Sequence, residues 1–426
     1  MKFIGSSAII RLPKCGCTAM FPEESVRNEA AVLRYIQDNT AIPVPFLHHW
    51  GTRKDCPVDI GPCFIMEYIT HEEDMGIALN IPGRGKDQRL MLNPDIDPDK
   101  LKMIYGELGN VLLELSCAEF PAIGSLAQTD DGTWRVRHRP LTMHMNELVR
   151  LGSMPRSRLL GPDATFNTSS DYYQHLANQH LEHLRQQRND IIDDETDCRR
   201  KFIARKLFQK LARDDKLASI SYRTGPFKLW CDDLRPMNVL TNGGGQVAAV
   251  LDWEFTYVAP AEFTFAPPWW LLLEQPEYWP NGLDDWTNAF DAKLEVFLQA
   301  LRQREDSAIA DGRLTEEQRL SGKMRASWEG GDFWIVYAAR KGFAFDLTYW
   351  HKIDQRFFGP LNVAPEDAWR ERLHMLDEDE VREMEELVVR KMKEMKTREL
   401  KWEPAEVWPL DSREKAKTAT DRHDDA

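Results

Sequence analysis

Apolar positions begin as short β-like runs around one helix and then settle into long helical stripes. Ser7 to Leu12 is apolar and β-branched and predicts a strand. After Pro13-Lys14-Cys15-Gly16, the run Pro22-Glu23-Glu24 suits a helix N-terminus: proline fits the first turn, and carboxylates there meet the positive end of the dipole. Val26, Ala30, Leu33 and Gln37 share one stripe, with Ile36 beside it. Ile42-Pro43-Val44-Pro45 stops that helix, because a residue before proline is pushed out of the α region. Cys63 to Ile69 predicts a second strand, so the first part reads strand, helix, strand.

Helices dominate from Asp97, which caps a stripe of Leu101, Ile104, Leu108, Leu112 and Leu115. Two more helices are predicted over Tyr172–Arg188 and Cys198–Leu217. A β island follows: Phe227–Trp230, then Val239-Leu240, the turn Asn242-Gly243-Gly244-Gly245, and Val247–Leu251 as a hairpin. Helical spacing resumes at Trp286, Phe290, Leu294, Phe297 and Leu301, and a Trp/Phe-rich stretch spans 333–350. Val381, Met384, Val388, Met392 and Met395 stripe a final charged helix, and the chain from about 411 onward is polar.

Composition narrows the function classes. A chain of 426 residues with 14 Trp, 19 Phe and 10 Tyr is long and aromatic enough for two or three packed lobes, which excludes general disorder. Lys+Arg 55 against Asp+Glu 69 gives a net charge of −14, which argues against nucleic acid or an anionic membrane as partner and permits a cationic small molecule. No apolar run approaches the ~18 residues of a spanning helix. Arg11 and Lys14 end the apolar start too early for a signal peptide. Seven scattered cysteines with no paired C-x-x-C knuckles point to reduced thiols in the cytoplasm.

The chemistry concentrates in Asp233-x-x-x-x-Asn238, a hairpin, and Asp252. Phosphoryl transfer needs a carboxylate to orient and deprotonate the attacking hydroxyl, and oxygen ligands to hold Mg²⁺ on the nucleotide phosphates. An Asp and an Asn five residues apart on one loop can face one cleft, and the hairpin returns Asp252 beside them. Taken singly, Asp233 and Asn238 would read as turn formers around Pro236. The ordered triple with apolar flanks reads as a kinase-type site.

Leu229 to Leu240, with Cys231-Asp232-Asp233-Leu234-Arg235-Pro236-Met237-Asn238 at its centre, resembles the catalytic loop of the aminoglycoside phosphotransferase and choline kinase-like family. Val250-Leu251-Asp252-Trp253-Glu254 resembles that family's metal-binding strand end. Arg27 to Ile36 followed by Ile42-Pro43-Val44-Pro45 resembles its small-lobe helix, Phe64 to Ile69 its hinge, and Phe120 to Leu126 a loop of its large lobe. The resemblance runs from about residue 7 to about 410 and is nearest the fungal branch.

The resemblance implies an α+β, two-lobed, protein-kinase-like fold: a shortened β-rich small lobe over 1–69, a mostly helical large lobe over 70–410, and a polar tail over 411–426. It implies that Asp233 is the catalytic base, that Asn238 and Asp252 bind Mg²⁺, that Arg11 anchors phosphate with Glu29 as its ion-pair partner, and that backbone groups of Glu67 and Ile69 hold adenine. Asp232, Arg235 and Glu254 are candidates for substrate or supporting contacts.

Two features depart from the family pattern. Cys231-Asp232 stands where His-Gly is usual, so the loop must be held without an imidazole, and Asp232 raises one carboxyl pKa by repulsion with Asp233, binds a basic substrate group or is a solvated charge. The two strands and Gly-rich loop that open family members have no counterpart before Arg11, where only Gly5 appears; a truncated gene model or a reduced nucleotide grip would account for this.

Several other motifs read as structural. Gly83-Arg84-Gly85-Lys86 lacks Walker spacing and reads as a solvated loop; His180 and His183 read as a polar helix face; Cys15-Gly16-Cys17 is too short to chelate alone. Pro267-Pro268-Trp269-Trp270 reads as large-lobe core rather than pocket wall. The leading expectation is an ATP- and Mg²⁺-dependent phosphotransferase acting on a small-molecule hydroxyl, with a catalytically silent pseudokinase as the alternative.

Overall fold

The computed structural model describes residues 7–13, 19–56, 61–84, 88–152, 154–188, 190–364 and 367–397. Strand β1 (Ala8–Arg11) leads to helix α1 (Pro22–Asn39), then β2 (Leu47–Gly51) and β3 (Cys63–Glu67). The three strands form one antiparallel sheet in the order β1-β3-β2, with Arg11 opposite Phe64. Proline at the first turn and Glu23-Glu24 start α1, and Thr40 Oγ1 donates to the Ile36 carbonyl at its end.

Helix α1 is buried on two faces. Val26 and Ala30 pack with Leu47 and Phe64 of the sheet, while Val32, Leu33 and Ile36 join the large core. Its apolar stripe stops a turn sooner than expected, since Gln37 is exposed.

Strand β2 corrects the sequence reading, which allowed only one strand after α1. Leu47-His48-His49-Trp50-Gly51 places both histidines outward, and a register shift between Leu47 and His49 breaks the alternation that would have marked a strand.

After β3 come β4 (Glu73–Asp74), α2 (Met75–Leu79) and α3 (Pro98–Cys117), the last capped by Asp97, whose Oδ1 accepts from Lys100 N at 2.8 Å. Strands β5 (Glu119–Phe120), β6 (Ser125–Gln128) and β7 (Trp134–His138) precede α4 (Met143–Arg150), α5 (Ser169–Gln186) and α6 (Glu195–Arg213). Both α5 and α6 begin and end earlier than the sequence suggested, and Thr168 and Asp194 cap their starts.

The β island holds β8 (Phe227–Cys231), β9 (Val239–Thr241), β10 (Val247–Val250) and β11 (Thr256–Ala259). It divides between two sheets, β11-β8-β5 and β10-β9-β4. Helices α7 (Ala261–Phe265), α8 (Leu283–Ala310), α9 (Ser321–Gly330) and α10 (Asp332–Arg340) follow, and a helix over Glu378–Thr397 comes last.

One core runs from α1 through α3, the β island and the later helices, with Trp253, Trp286 and Trp350 fully buried in it. The final stripe packs through Met384 and Val388 and is exposed by Met395. Residues 411–426 and Cys15-Gly16-Cys17 lie outside the described residues. No helix among the described residues is long and apolar enough to cross a membrane.

His180 and His183 do not form a polar face: both are buried, and the His180 ring lies 5.1 Å from that of His144. A 3.6 repeat cannot distinguish a solvated histidine from one covered by a second layer, and here the Ala339 carbonyl accepts from His180 Nε2 and Gln187 Oε1 accepts from His183 Nε2. Neither ring nitrogen of His144 has a partner among the described residues.

Burial drives these imidazoles toward the neutral form, reaching about 3 for His144 and about 4 for His183, with neighbouring cations such as Arg205 adding to it. The unfolded chain takes up these protons near pH 6.5, whereas the folded protein refuses them until far lower pH. Stability should therefore fall as pH drops through that window, by up to about 1.4 kcal/mol per pH unit for each histidine. The denaturant midpoint measured between pH 7.5 and 5 checks this, and His144→Leu should flatten the slope; an unchanged slope would show that the cluster does not titrate.

Candidate active site

The candidate loop leaves β8 at Cys231 and turns through Pro236–Asn238, where proline opens a single 3₁₀ turn and Asn238 N donates to the Arg235 carbonyl at 2.9 Å. This turn folds Asn238 back on Asp233. Asn238 Nδ2 donates to the Asp233 carbonyl at 2.8 Å and to its Oδ2 at 3.2 Å, while Arg235 Nε lies 3.1 Å from Oδ1. The Asp233 side chain is 15% exposed, so it is oriented by neighbours yet still reachable. Burial raises its pKa above the ordinary aspartate value, Arg235, Asn238 and Lys341 pull it down, and Asp252 pushes it up again.

The hairpin supplies the second half. Asn242 Oδ1 accepts from Gly244 N at 2.9 Å and Gly245 adopts φ +73, which closes the β9–β10 turn. Leu251 N then donates to the Asn238 carbonyl at 2.8 Å, tying the strand end to the loop. Asp252 itself adopts φ +60, a left-handed conformation that Asp tolerates better than most residues. Below it, Trp253 is fully buried with Nε1 donating to the Val250 carbonyl at 2.9 Å.

Arg11 reaches this point from the small sheet. Its Nη1 lies 2.7 Å from Asp252 Oδ1 and 3.0 Å from Glu29 Oε1. Glu29 is buried on α1, and burial pushes its carboxyl up to about 7 against the pull of Arg11, with Glu254 and Asp252 pushing the same way as burial. Asn28 locks α1 over the site by donating to the carbonyls of Glu254 and Thr256, both at 2.8 Å. Glu254, also raised by burial, completes an acidic group around Arg11.

The structure thus gathers Arg11, Glu29, Asp233, Arg235, Asn238, Asp252 and Glu254. Glu67 and Ile69 lie away from this group at the end of β3, where Glu67 N donates to the Phe46 carbonyl and His71 Nδ1 contacts the Ile69 carbonyl. Asp232 is neither a solvated charge nor turned toward a ligand. It is buried, and its oxygens take Arg340 Nε at 2.8 Å, Trp230 Nε1 at 2.9 Å and Met143 N at 3.1 Å. These three donors hold the loop where an imidazole would be usual.

Sequence reasoning missed Arg340, Asn28 and the exposed edge of Trp269. The signal for Arg340 was an arginine closing an otherwise apolar helix, Phe333 to Ala339. Trp270 is buried as expected, but Trp269 is only half-buried and lines a hollow beside the loop.

The donor set also indicates which ion would suit the site. Asn238 turns its amide nitrogen toward Asp233, so Oδ1 is the atom that could ligate a cation, and Asp252 could add a carboxylate. Two hard oxygens fit Mg²⁺, which commonly takes one or two protein ligands and completes its shell with phosphate and water.

A family model described as the phosphotransferase enzyme family matches residues 6–305. The chain is similar to clavilactone A biosynthesis cluster protein Y of Ampulloclitocybe clavipes, at 24% identity over 253 residues, covering 58% of this chain and 53% of that protein. The chain therefore spans about half the length of that relative. Among solved structures it is similar to a gentamicin complex of APH(2")-IIa, at 11% identity and a TM-score of 0.39, covering 84% of this chain and 86% of the other. It is also similar to a ternary complex of a thermostable APH(4)-Ia mutant with AMP-PNP and hygromycin B, at 12% identity and a TM-score of 0.37, covering 77% and 87%. The matched residues include the strand of Arg11, the helix of Glu29, the loop of Asp233 and Asn238, and the strand end at Asp252, and on that match the chain belongs to the phosphotransferase enzyme family.

Proposed function

We propose that the protein transfers the terminal phosphoryl group of ATP to a hydroxyl of a small molecule, with Mg²⁺ as the metal. The observation that carries this reading is the meeting of Asp233 and Asn238 from one loop with Asp252 from the adjoining hairpin, faced across the cleft by Arg11 at 2.7 Å from Asp252. In this reading residues 1–69 make the nucleotide-side lobe and 70–410 the catalytic lobe.

Asp233 accepts the proton of the acceptor hydroxyl as that hydroxyl's oxygen bonds to the terminal phosphorus and the bond to the bridging oxygen breaks, releasing ADP. The raised pKa favours that role, because a stronger base takes the proton more readily, and Asn238 and Arg235 keep the carboxylate aimed. Magnesium, when bound by Asn238 Oδ1 and Asp252, would neutralise charge on the phosphate oxygens. Arg11, braced by the buried Glu29, offers a planar fork suited to phosphate. Backbone groups at Glu67 and Ile69 hold the adenine edge, and the Glu254 charge adds to those of Glu29 and Asp252 in favouring the Arg11 guanidinium.

Thermal melting with and without metal tests the reading. Mg-ATP should raise the melting temperature of the native protein, and the increase should disappear in Asp252→Ala, which loses a carboxylate ligand. An increase as large in the variant as in the native protein would remove Asp252 from the site and the reading with it.

A further inference from the structure

The sheet of β1, β2 and β3 holds a pair of thiols that the candidate active site does not use. Cys63 opens β3 and lies opposite Gly51, the last residue of β2. The chain turns just after Gly51: Asp55 Oδ2 accepts from Thr52 N at 3.0 Å and from Thr52 Oγ1 at 2.6 Å, and Cys56 N donates to the Thr52 carbonyl at 3.1 Å. That turn carries Cys56 back over the strand end, and the Sγ atoms of Cys56 and Cys63 meet at 2.7 Å. Gly51 leaves the room for this contact, since a Cβ there would stand 3.0 Å from Asp55 Cβ and 3.3 Å from Cys56 Sγ. Both cysteines are buried, yet the turn is exposed at Arg53, Lys54 and Asp55, so Cys56 lies one residue inside the surface. Burial, with Cys63 adding to it, pushes the Cys56 thiol up to about 11, which keeps it protonated near neutral pH.

A buried cysteine ordinarily packs as a small apolar group, and either residue alone would read that way. Their contact points to chemistry instead, because two thiols this close can join after a small side-chain rotation. Cys117, Cys198 and Cys231 have no second sulfur beside them among the described residues. We propose that Cys56 and Cys63 are a redox-active pair that a low-molecular-weight disulfide converts to an intramolecular disulfide, fastening the turn after β2 to the start of β3. Cys56 first gives up its proton, and its sulfur attacks one sulfur of the reagent, whose S–S bond breaks so that one thiol leaves. Cys63 then gives up its proton and attacks Cys56 Sγ, releasing the second thiol. The protein loses two protons and two electrons, and the reagent takes up both. Because the second sulfur is already in place, the mixed disulfide should not accumulate. The bond braces the central strand of the sheet, whose Phe64 lies opposite Arg11, and it makes two of the seven cysteines exceptions to the reading of scattered reduced thiols. No step of the exchange involves Asp233, Asn238 or Asp252, so it can be tested whatever reaction occurs at the cleft.

Alkylation and mass spectrometry of the full chain test the pair. Trypsin cuts after Lys54 and next after Arg84, so residues 55–84 form one peptide that contains both cysteines and no other. The folded protein is incubated with oxidised glutathione, then unfolded and treated with iodoacetamide. The 55–84 peptide should carry no label and weigh about 2 Da less than its reduced, unlabelled form, while the peptides holding Cys198 and Cys231 are labelled. Dithiothreitol before labelling should restore two labels. Cys63→Ser should instead leave one glutathione on Cys56, which then has no sulfur to displace it. The oxidised native protein should melt above the reduced one, and the two conditions should melt alike in Cys63→Ser. Labelling of both cysteines after oxidation, a persistent glutathione adduct on the native peptide, or dimers linked through Cys56 would overturn the pair. Equal melting of the oxidised and reduced native protein would overturn the bracing of β3.

Discussion

Asp233→Asn should lower the turnover of phosphoryl transfer by about 100- to 10,000-fold, the range that general-base catalysis contributes. The substitution keeps size and an oxygen that Asn238 Nδ2 can still reach, so the loop should hold its shape. It removes the only function the proposal gives the side chain, accepting a proton. Nucleotide affinity should stay within a few-fold, because the phosphate and metal contacts are assigned to Arg11, Asn238 and Asp252, so kcat falls while the KM for ATP hardly moves. The native protein should also lose activity on the acid side at a pH above the ordinary aspartate value of 3.8, since a base must be ionised and burial raises this one. Turnover in the variant close to native would end the assignment.

Asp232→Ala should destabilise the fold by about 3–5 kcal/mol, although Asp232 adjoins the base. The buried Arg340 guanidinium would be left without its carboxylate, and Trp230 Nε1 and Met143 N would lose an acceptor. Replacing both partners, as in Asp232→Leu with Arg340→Met, should recover most of the loss, because a buried ion pair contributes little beyond what well-packed apolar groups supply. Denaturant midpoints of the single and double variants decide the matter. An Asp232→Ala protein as stable as native would show that the loop is held by something else.

Local chemistry made much of the fold and site legible. Proline and paired glutamates begin α1, Asp97 caps α3, and Asn242 with three glycines turns the hairpin; each of these acts within a few residues, so each leaves a mark in the sequence. The spacing of Asp233, Asn238 and Asp252 is of the same kind, since one short loop and one hairpin are enough to bring them together. By contrast, the apparent polar face at His180 and His183 misled because the second layer that covers it, including Ala339 and Phe345, comes some 160 residues later.

By itself, then, the sequence determined the α+β character, the hairpin-linked candidate loop and the identity of the residues that could serve phosphoryl transfer, because these depend on short-range geometry and residue chemistry. Tertiary structure alone decided their states. It set Asp252 in a left-handed conformation within reach of Arg11, raised Glu29 by burial, turned Asp232 inward onto Arg340, and left one edge of Trp269 in the wall of an apolar hollow. Burial, ionisation and charge pairing between residues more than 100 positions apart depend on which surfaces meet, and no local pattern encodes that.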